Sequence, residues 1–281
     1  MLTNWILQHF GAVYLDMFLL LGVALVVSSI GFYRLLYFIN IGYAFAIVGM
    51  IVLMLVRHLE SLSFVSGVQN GLLALWGLRL GIYLVRREFQ AAYSKQKTEI
   101  HESFADVPWG VRVLIWISVS LLYVLMFSPS LSRLTEISAS PSWFLVFSQG
   151  AGLLLMGGGL LMETIADKQK SDFKTERPRD YCDTGLYRLV RCPNYLGEII
   201  FWVGNWVVGI MFYTTPLHWI VSSLGAVCIV LIMMGSTKRL ESAQDGRYGD
   251  RSAYLQYIRT VPVLFPFVPV YSLKKVRVFL E

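Results

Sequence analysis

Charge is scarce in this sequence. Only 15% of the 281 residues are Asp, Glu, Lys or Arg, while 56% are apolar. Soluble domains carry about 25% charged residues, so a water-facing globular surface cannot be covered. A disordered chain is excluded by the same numbers, since disorder needs high charge and few apolar groups. Cysteine is almost missing. Cys182, Cys192 and Cys228 stand in no CxxC or metal-like spacing, which argues against a disulfide framework and a zinc site. Histidine is equally thin. His9, His58, His101 and His218 form no HxxxH or HExxH pattern, so no metal centre is expected. The opening MLTNWILQHF has no basic n-region, so no cleavable signal peptide is expected.

Long apolar runs are what the sequence has. Crossing a hydrocarbon core of about 30 Å takes roughly 20 helical residues. Seven stretches qualify, near 11–32, 36–56, 64–85, 110–128, 143–163, 196–213 and 216–236. None alternates with period two, and an apolar run in lipid satisfies its own backbone as a helix. The expected fold is therefore an all-α polytopic bundle of about seven transmembrane helices. It reads as a single integral-membrane domain, with residues 1–140 forming the substrate-side helices and 141–281 the cofactor half.

The sparse charge is also sorted. With seven spans, one side carries 21 Lys and Arg residues, and the other only Arg57 and Arg133. By the positive-inside rule the basic side is cytoplasmic, which puts the N-terminus out and the C-terminus in. The net charge of +6 is thus read as topology and anionic-lipid contact, not as nucleic-acid binding.

Two cytoplasmic segments, 164–195 and 237–281, are too long for simple connections. In the first, Glu163, Asp167, Lys170 and Lys174 recur at helical steps, so the fifth span is expected to continue past the membrane with these on one face. Pro193 suits the first position of the sixth span. The free N–H groups of that helix start, beside Arg188 and Arg191, suit a phosphate; the alternative is an ordinary helix start flanked by positive-inside arginines. Along the sixth span Tyr195, Glu198, Trp202 and Asn205 form one polar–aromatic stripe, and along the third Trp76, Arg79 and Tyr83 form another. Carboxylates, amides and guanidiniums in a span read as functional by default. The tail RYGDRSAYLQYIRTVPVLFPFVPV mixes arginines and tyrosines, either as a polybasic membrane-surface segment or as a cover for an anionic cofactor.

ADKQKSDFK, TGLYRLVRCPNYLGEIIFW, YLQYIRTVPVLFPF and the third-span GLLALWGLRLGIYL together resemble the DUF1295 branch of the steroid 5α-reductase superfamily. The resemblance covers 71–88 and 160–267. It implies one of two chemistries: NADPH-dependent reduction of a conjugated carbon–carbon double bond, or S-adenosylmethionine-dependent methyl transfer of the isoprenylcysteine carboxyl methyltransferase kind. It also implies cofactor roles for Asp167, Arg188, Arg191, Asn194, Tyr195, Glu198, Tyr254, Tyr257 and Arg259. Members of this branch and of the methyltransferases read Arg-His-Pro where this chain has Arg191-Cys192-Pro193, which favours the reductase reading. Cys192 is either an inert replacement or a thiol whose pKa is lowered by its arginines and helix start. Glu198 or Asn194 would bind the nicotinamide amide, and Tyr83 or Glu88 would supply the acid. The expected protein is an NADPH-dependent reductase of a hydrophobic, steroid-like or lipid substrate, in the endoplasmic reticulum or a bacterial inner membrane. The alternatives are a methyltransferase and a non-catalytic lipid-binding protein.

Overall fold

The computed structural model describes residues 2–89, 107–135 and 142–276, with side chains from Tyr14 onward. Among these residues every regular element is helical. We label the longer helices α1 (Leu2–Ser28), α2 (Ile41–Arg57), α3 (Phe64–Glu88), α4 (Trp109–Thr135), α5 (Trp143–Glu176), α6 (Pro193–Gly209), α7 (Pro216–Tyr248) and α8 (Ser252–Thr260). Six helical stretches are long and apolar enough to cross a membrane: Tyr14–Phe32, Phe64–Glu88, Trp109–Thr135, Trp143–Glu176, Pro193–Phe212 and Pro216–Tyr248.

The apolar run 36–56 is the difference from the sequence reading. It is cut at Asn40 (φ −114°, ψ −91°) into a turn, Leu36–Ile39, and α2. Asn40 is the N-cap of α2 with no side-chain cap bond, and its carbonyl accepts the Ala44 N–H at 3.1 Å. The remaining α2 has 17 residues, about 25 Å at 1.5 Å per residue, and falls short of the six. Elsewhere helices outrun their apolar windows. α4 continues through Pro129 to Thr135. α5 reaches Glu176, as its charged face led us to expect. α7 carries twelve residues past the end of the run at 236.

The chain divides into two compact units. The first comprises Met1–Gln149 and Val208–Gly225. Here α1 packs on α2 and α4, and α2 packs on α3. Tyr43 stacks on Tyr123 at 5.1 Å and meets Trp76 edge-on at 4.9 Å. Serine hydroxyls tie helices together, Ser28 to Ser120 at 3.0 Å and Ser128 to Ser222 at 2.9 Å, as suits helices that gain little from apolar burial in lipid. Asn70 donates to the Ser66 carbonyl and accepts from Ser130, both at 2.9 Å. Asp16, fully buried, receives Arg57 Nε at 2.6 Å and lies 2.8 Å from His58 Nε2.

The second unit comprises Gly150–Val207 and Ala226–Glu281. Its centre is the crossing of α5 and α6. A Cβ built on Gly159 would lie 2.5 Å from the Gly197 carbonyl oxygen and 2.6 Å from the Phe201 nitrogen. A Cβ on Gly197 would meet the Glu163 nitrogen at 2.8 Å, and one on Gly204 the Met156 nitrogen at 2.7 Å. Ascending numbers on α5 face descending numbers on α6, so the helices are antiparallel. Only glycine lets the two backbones approach this closely, the small-residue packing that membrane helices favour.

Candidate functional site

The glycine crossing sets the register of the polar residues in the second unit. Glu163 faces Gly197 directly. Asp167, one turn further along α5, therefore lies level with the start of α6. Glu163, Asp167 and Glu198 are all buried, and so are Trp202 and Asn205. The stripe expected on the sixth span is thus turned inward, with Tyr195 half-buried at its head. Buried carboxylates are costly wherever water is scarce, so their gathering in one unit marks the site.

Cys192 caps α6, its carbonyl accepting the Leu196 N–H at 3.1 Å, and Pro193 occupies the first helical position. The Asn194 side chain is half-buried just inside the helix start. Burial pushes the Cys192 thiol up to about 11, against lowering by Lys170, Arg191 and a hydrogen bond with Thr237. An activated thiolate is thereby set aside, because desolvation outweighs the nearby cations. Burial thus favours the neutral thiol at Cys192.

The three arginines of the expected site separate. Arg188 and Arg259 are exposed. Arg191 is 3% exposed and paired with Glu241 at 3.2 Å. Arg191 also donates through Nη2 to the Tyr271 carbonyl, and its backbone N–H donates to the Pro262 carbonyl at 2.9 Å. Glu241 in turn accepts the Leu273 N–H at 3.0 Å. The pair therefore clasps the C-terminal tail against α7. Glu241 escaped the sequence reading, although Ile229, Met233, Thr237 and Glu241 recur every four residues as a buried stripe.

The tyrosines of the tail have structural roles. Tyr254 donates to Asp245 at 2.6 Å. Tyr257 donates to the Tyr187 carbonyl at 2.7 Å and the Cys182 carbonyl at 3.3 Å. Tyr181 stacks on Tyr257 at 5.2 Å and meets Tyr254 edge-on at 5.1 Å. Burial raises Tyr254 to about 12 and Tyr257 above that, so neither ionises at neutral pH. α8 is thereby fastened to segment 181–187. That segment turns at Gly185, whose φ of +59° suits glycine, and Gln169 of α5 accepts the Leu186 N–H at 2.9 Å.

The expected acids lie in the first unit. Glu88 Oε2 accepts from Tyr37 Oη at 2.9 Å and Arg34 Nη1 at 3.1 Å. Tyr83 is half-buried, with the Arg87 guanidinium 5.9 Å from its ring centroid. Tyr37 was not singled out in the sequence, because its partner is 51 positions away. Among the described residues no group of three or more His, Cys, Asp or Glu could hold a metal ion.

No curated protein and no solved structure matches the chain. Residues 33–261, well over half of the sequence, match the family described as "Protein of unknown function (DUF1295)". On that match, with the helical membrane-type bundle that carries it, the chain belongs to the DUF1295 family.

Proposed function

We infer that this integral, multi-pass membrane protein is an NAD(P)H-dependent reductase of a conjugated carbon–carbon double bond in a hydrophobic, steroid-like or other lipid substrate. The observation that carries the reading is the α5–α6 crossing, which gathers Glu163, Asp167 and the Asn194–Glu198 run at one helix start. The resemblance of that run to the reductases of the wider superfamily supports the reaction class. With the shorter apolar helix Ile41–Arg57 counted as a seventh crossing, the sorting of basic residues supports an N-terminus outside and a cytoplasmic C-terminus. In that orientation the crossing opens towards the soluble nucleotide pool, at the endoplasmic reticulum or a bacterial inner membrane.

The donor set suits a dinucleotide. Exposed Arg188 and Arg259, with the first N–H groups of α6, offer charge to phosphates. Arg191 is committed to Glu241, so its part is to hold the tail that carries Arg259, Tyr257 and Tyr254. Asn194 and Glu198 offer an amide and a carboxylate to a carboxamide. A bound nicotinamide supplies the hydride; the chain supplies orientation and the proton. The candidates for the proton remain Tyr83 and Glu88, since Tyr37 already donates its own hydroxyl hydrogen to Glu88.

Thermal-shift titration of purified protein with NADPH and with S-adenosylmethionine tests the reading. NADPH is expected to stabilise it, and Asn194→Ala to weaken that binding about two- to tenfold, the worth of one hydrogen bond. Stabilisation by the methyl donor and not by NADPH refutes the reductase. Stabilisation by neither favours a lipid-binding protein.

A further inference from the structure

The end of the first unit away from Glu88 holds a cation with no counter-ion among the described residues. α3 has 25 residues, about 37 Å at 1.5 Å each, so its N-terminus lies far from the Glu88 end. Ser63 caps it in a reciprocal box with Ser66. Arg133, in the last turn of α4, points at that cap. Its Nη2 donates to Ser63 Oγ at 3.4 Å, and its guanidinium carbon sits 4.4 Å from the Phe212 ring centroid. Arg133 is 6% exposed, and its Nε and Nη1 are buried with no hydrogen-bond partner among the described residues. Glu60, the acidic residue just before the cap, is exposed.

Two positive features thus face each other. A helix N-terminus carries about half a positive charge, and the guanidinium cannot shed its proton to relieve the repulsion. The α4 carbonyls nearby and the Phe212 face offset only part of the desolvation. One long, weak bond to a serine does not satisfy a fork of five donors.

We propose that Arg133 and the N-terminus of α3 form a binding site for an oxyanion, a carboxylate or phosphate, borne by an amphiphile in the membrane or supplied from solution. The unused Nε and Nη1 match the two oxygens of such a group. Phe212 then packs beside the aliphatic portion that follows it. The site is independent of the reductase reading, since it uses none of those residues.

The test uses the full-length protein in non-ionic detergent at pH 8, with oleate, inorganic phosphate and oleyl alcohol as probes. Oleate is expected to raise the melting midpoint saturably and oleyl alcohol not to. Arg133→Gln is expected to weaken oleate at least tenfold, about 1.4 kcal/mol, with Arg133→Lys between. Stabilisation by oleate alone identifies a membrane-borne ligand. Stabilisation by phosphate too, lost in Arg133→Gln, identifies a soluble one at the same guanidinium. Binding of neither, or binding unchanged in Arg133→Gln, overturns the proposal. Arg133→Met in the unliganded protein is expected to keep or raise the midpoint, because an uncompensated charge is removed. If it unfolds the protein, the charge is compensated within the fold and the proposal fails. Glu136 lies outside the described residues, so Glu136→Gln is the companion variant. An unchanged midpoint is expected, and a marked drop would identify an internal counter-ion instead.

Discussion

Gly157, Gly158 and Gly159 are consecutive on α5, yet adding one methyl group to each should give different results. A Cβ on Gly157 or Gly158 meets nothing within 4 Å, whereas one on Gly159 meets the backbone of α6 at 2.5 and 2.6 Å. Ordinary contact begins at 3.4 Å, so the helices must separate by about 0.9 Å at the crossing. The obstacle is main chain on both sides, which no rotamer change can relieve. Overpacking of this kind costs about 1–3 kcal/mol. Gly159→Ala should therefore lower the melting midpoint by roughly 2–12 °C. Gly157→Ala and Gly158→Ala should be neutral or gain up to about 1 kcal/mol from helix propensity.

The same displacement moves Glu163 away from Gly197, so Gly159→Ala should also weaken NADPH binding beyond its effect on stability. The assay is thermal unfolding monitored by intrinsic fluorescence in detergent, with a nucleotide titration below the transition. If Gly159→Ala melts with wild-type protein, or the three variants are indistinguishable, the close crossing is refuted. So is the register that brings Asp167 level with α6.

Three further outcomes follow from the second unit. Arg191→Ala should cost about 3–5 kcal/mol by leaving Glu241 buried and unpaired, and limited proteolysis should then cut the released tail; Arg191→Met with Glu241→Leu should recover much of that loss. Cys192 should resist iodoacetamide at pH 8, where a thiol of pKa about 11 is thiolate at about one part in a thousand; labelling should rise about tenfold per pH unit and level off above pH 11, and mapped modification at pH 8 would contradict its burial. Tyr257→Phe should lower stability by about 1 kcal/mol through loss of the bond to Tyr187, measurable as a small drop in midpoint; no change would mean that ring stacking alone holds α8.

What could be read in the sequence was local. Apolar runs located the spans, because one helix satisfies its own backbone in lipid and needs no partner to do so. The overrun of α5 was legible from Glu163, Asp167, Lys170 and Lys174, which repeat within a single helix. The break at Asn40 was not, since 36–56 is apolar on both sides of it. Pairings across the chain left no local trace. Asp16 finds Arg57 at a separation of 41, Tyr37 finds Glu88 at 51, and Arg191 finds Glu241 at 50. For that reason Arg191 read as a phosphate ligand in the sequence but stands as the clasp of the tail in the fold.

Where the buried charge collects is the stronger argument for the second unit. Among the described residues Asp16, Arg133, Glu163, Asp167, Arg191, Glu198 and Glu241 are buried charged groups, and five of the seven belong to that unit. Stability alone gives no reason to keep them, because apolar residues of similar volume are often equal to or better than a buried ion pair. Arg191 and Glu241 have a structural task in holding the tail. Glu163, Asp167 and Glu198 sit where α5 meets the first turns of α6, one of the places where glycines let two helix backbones approach closely. A chain that spends so little of its composition on charge has concentrated it there, and a polar ligand is the reason we assign to it.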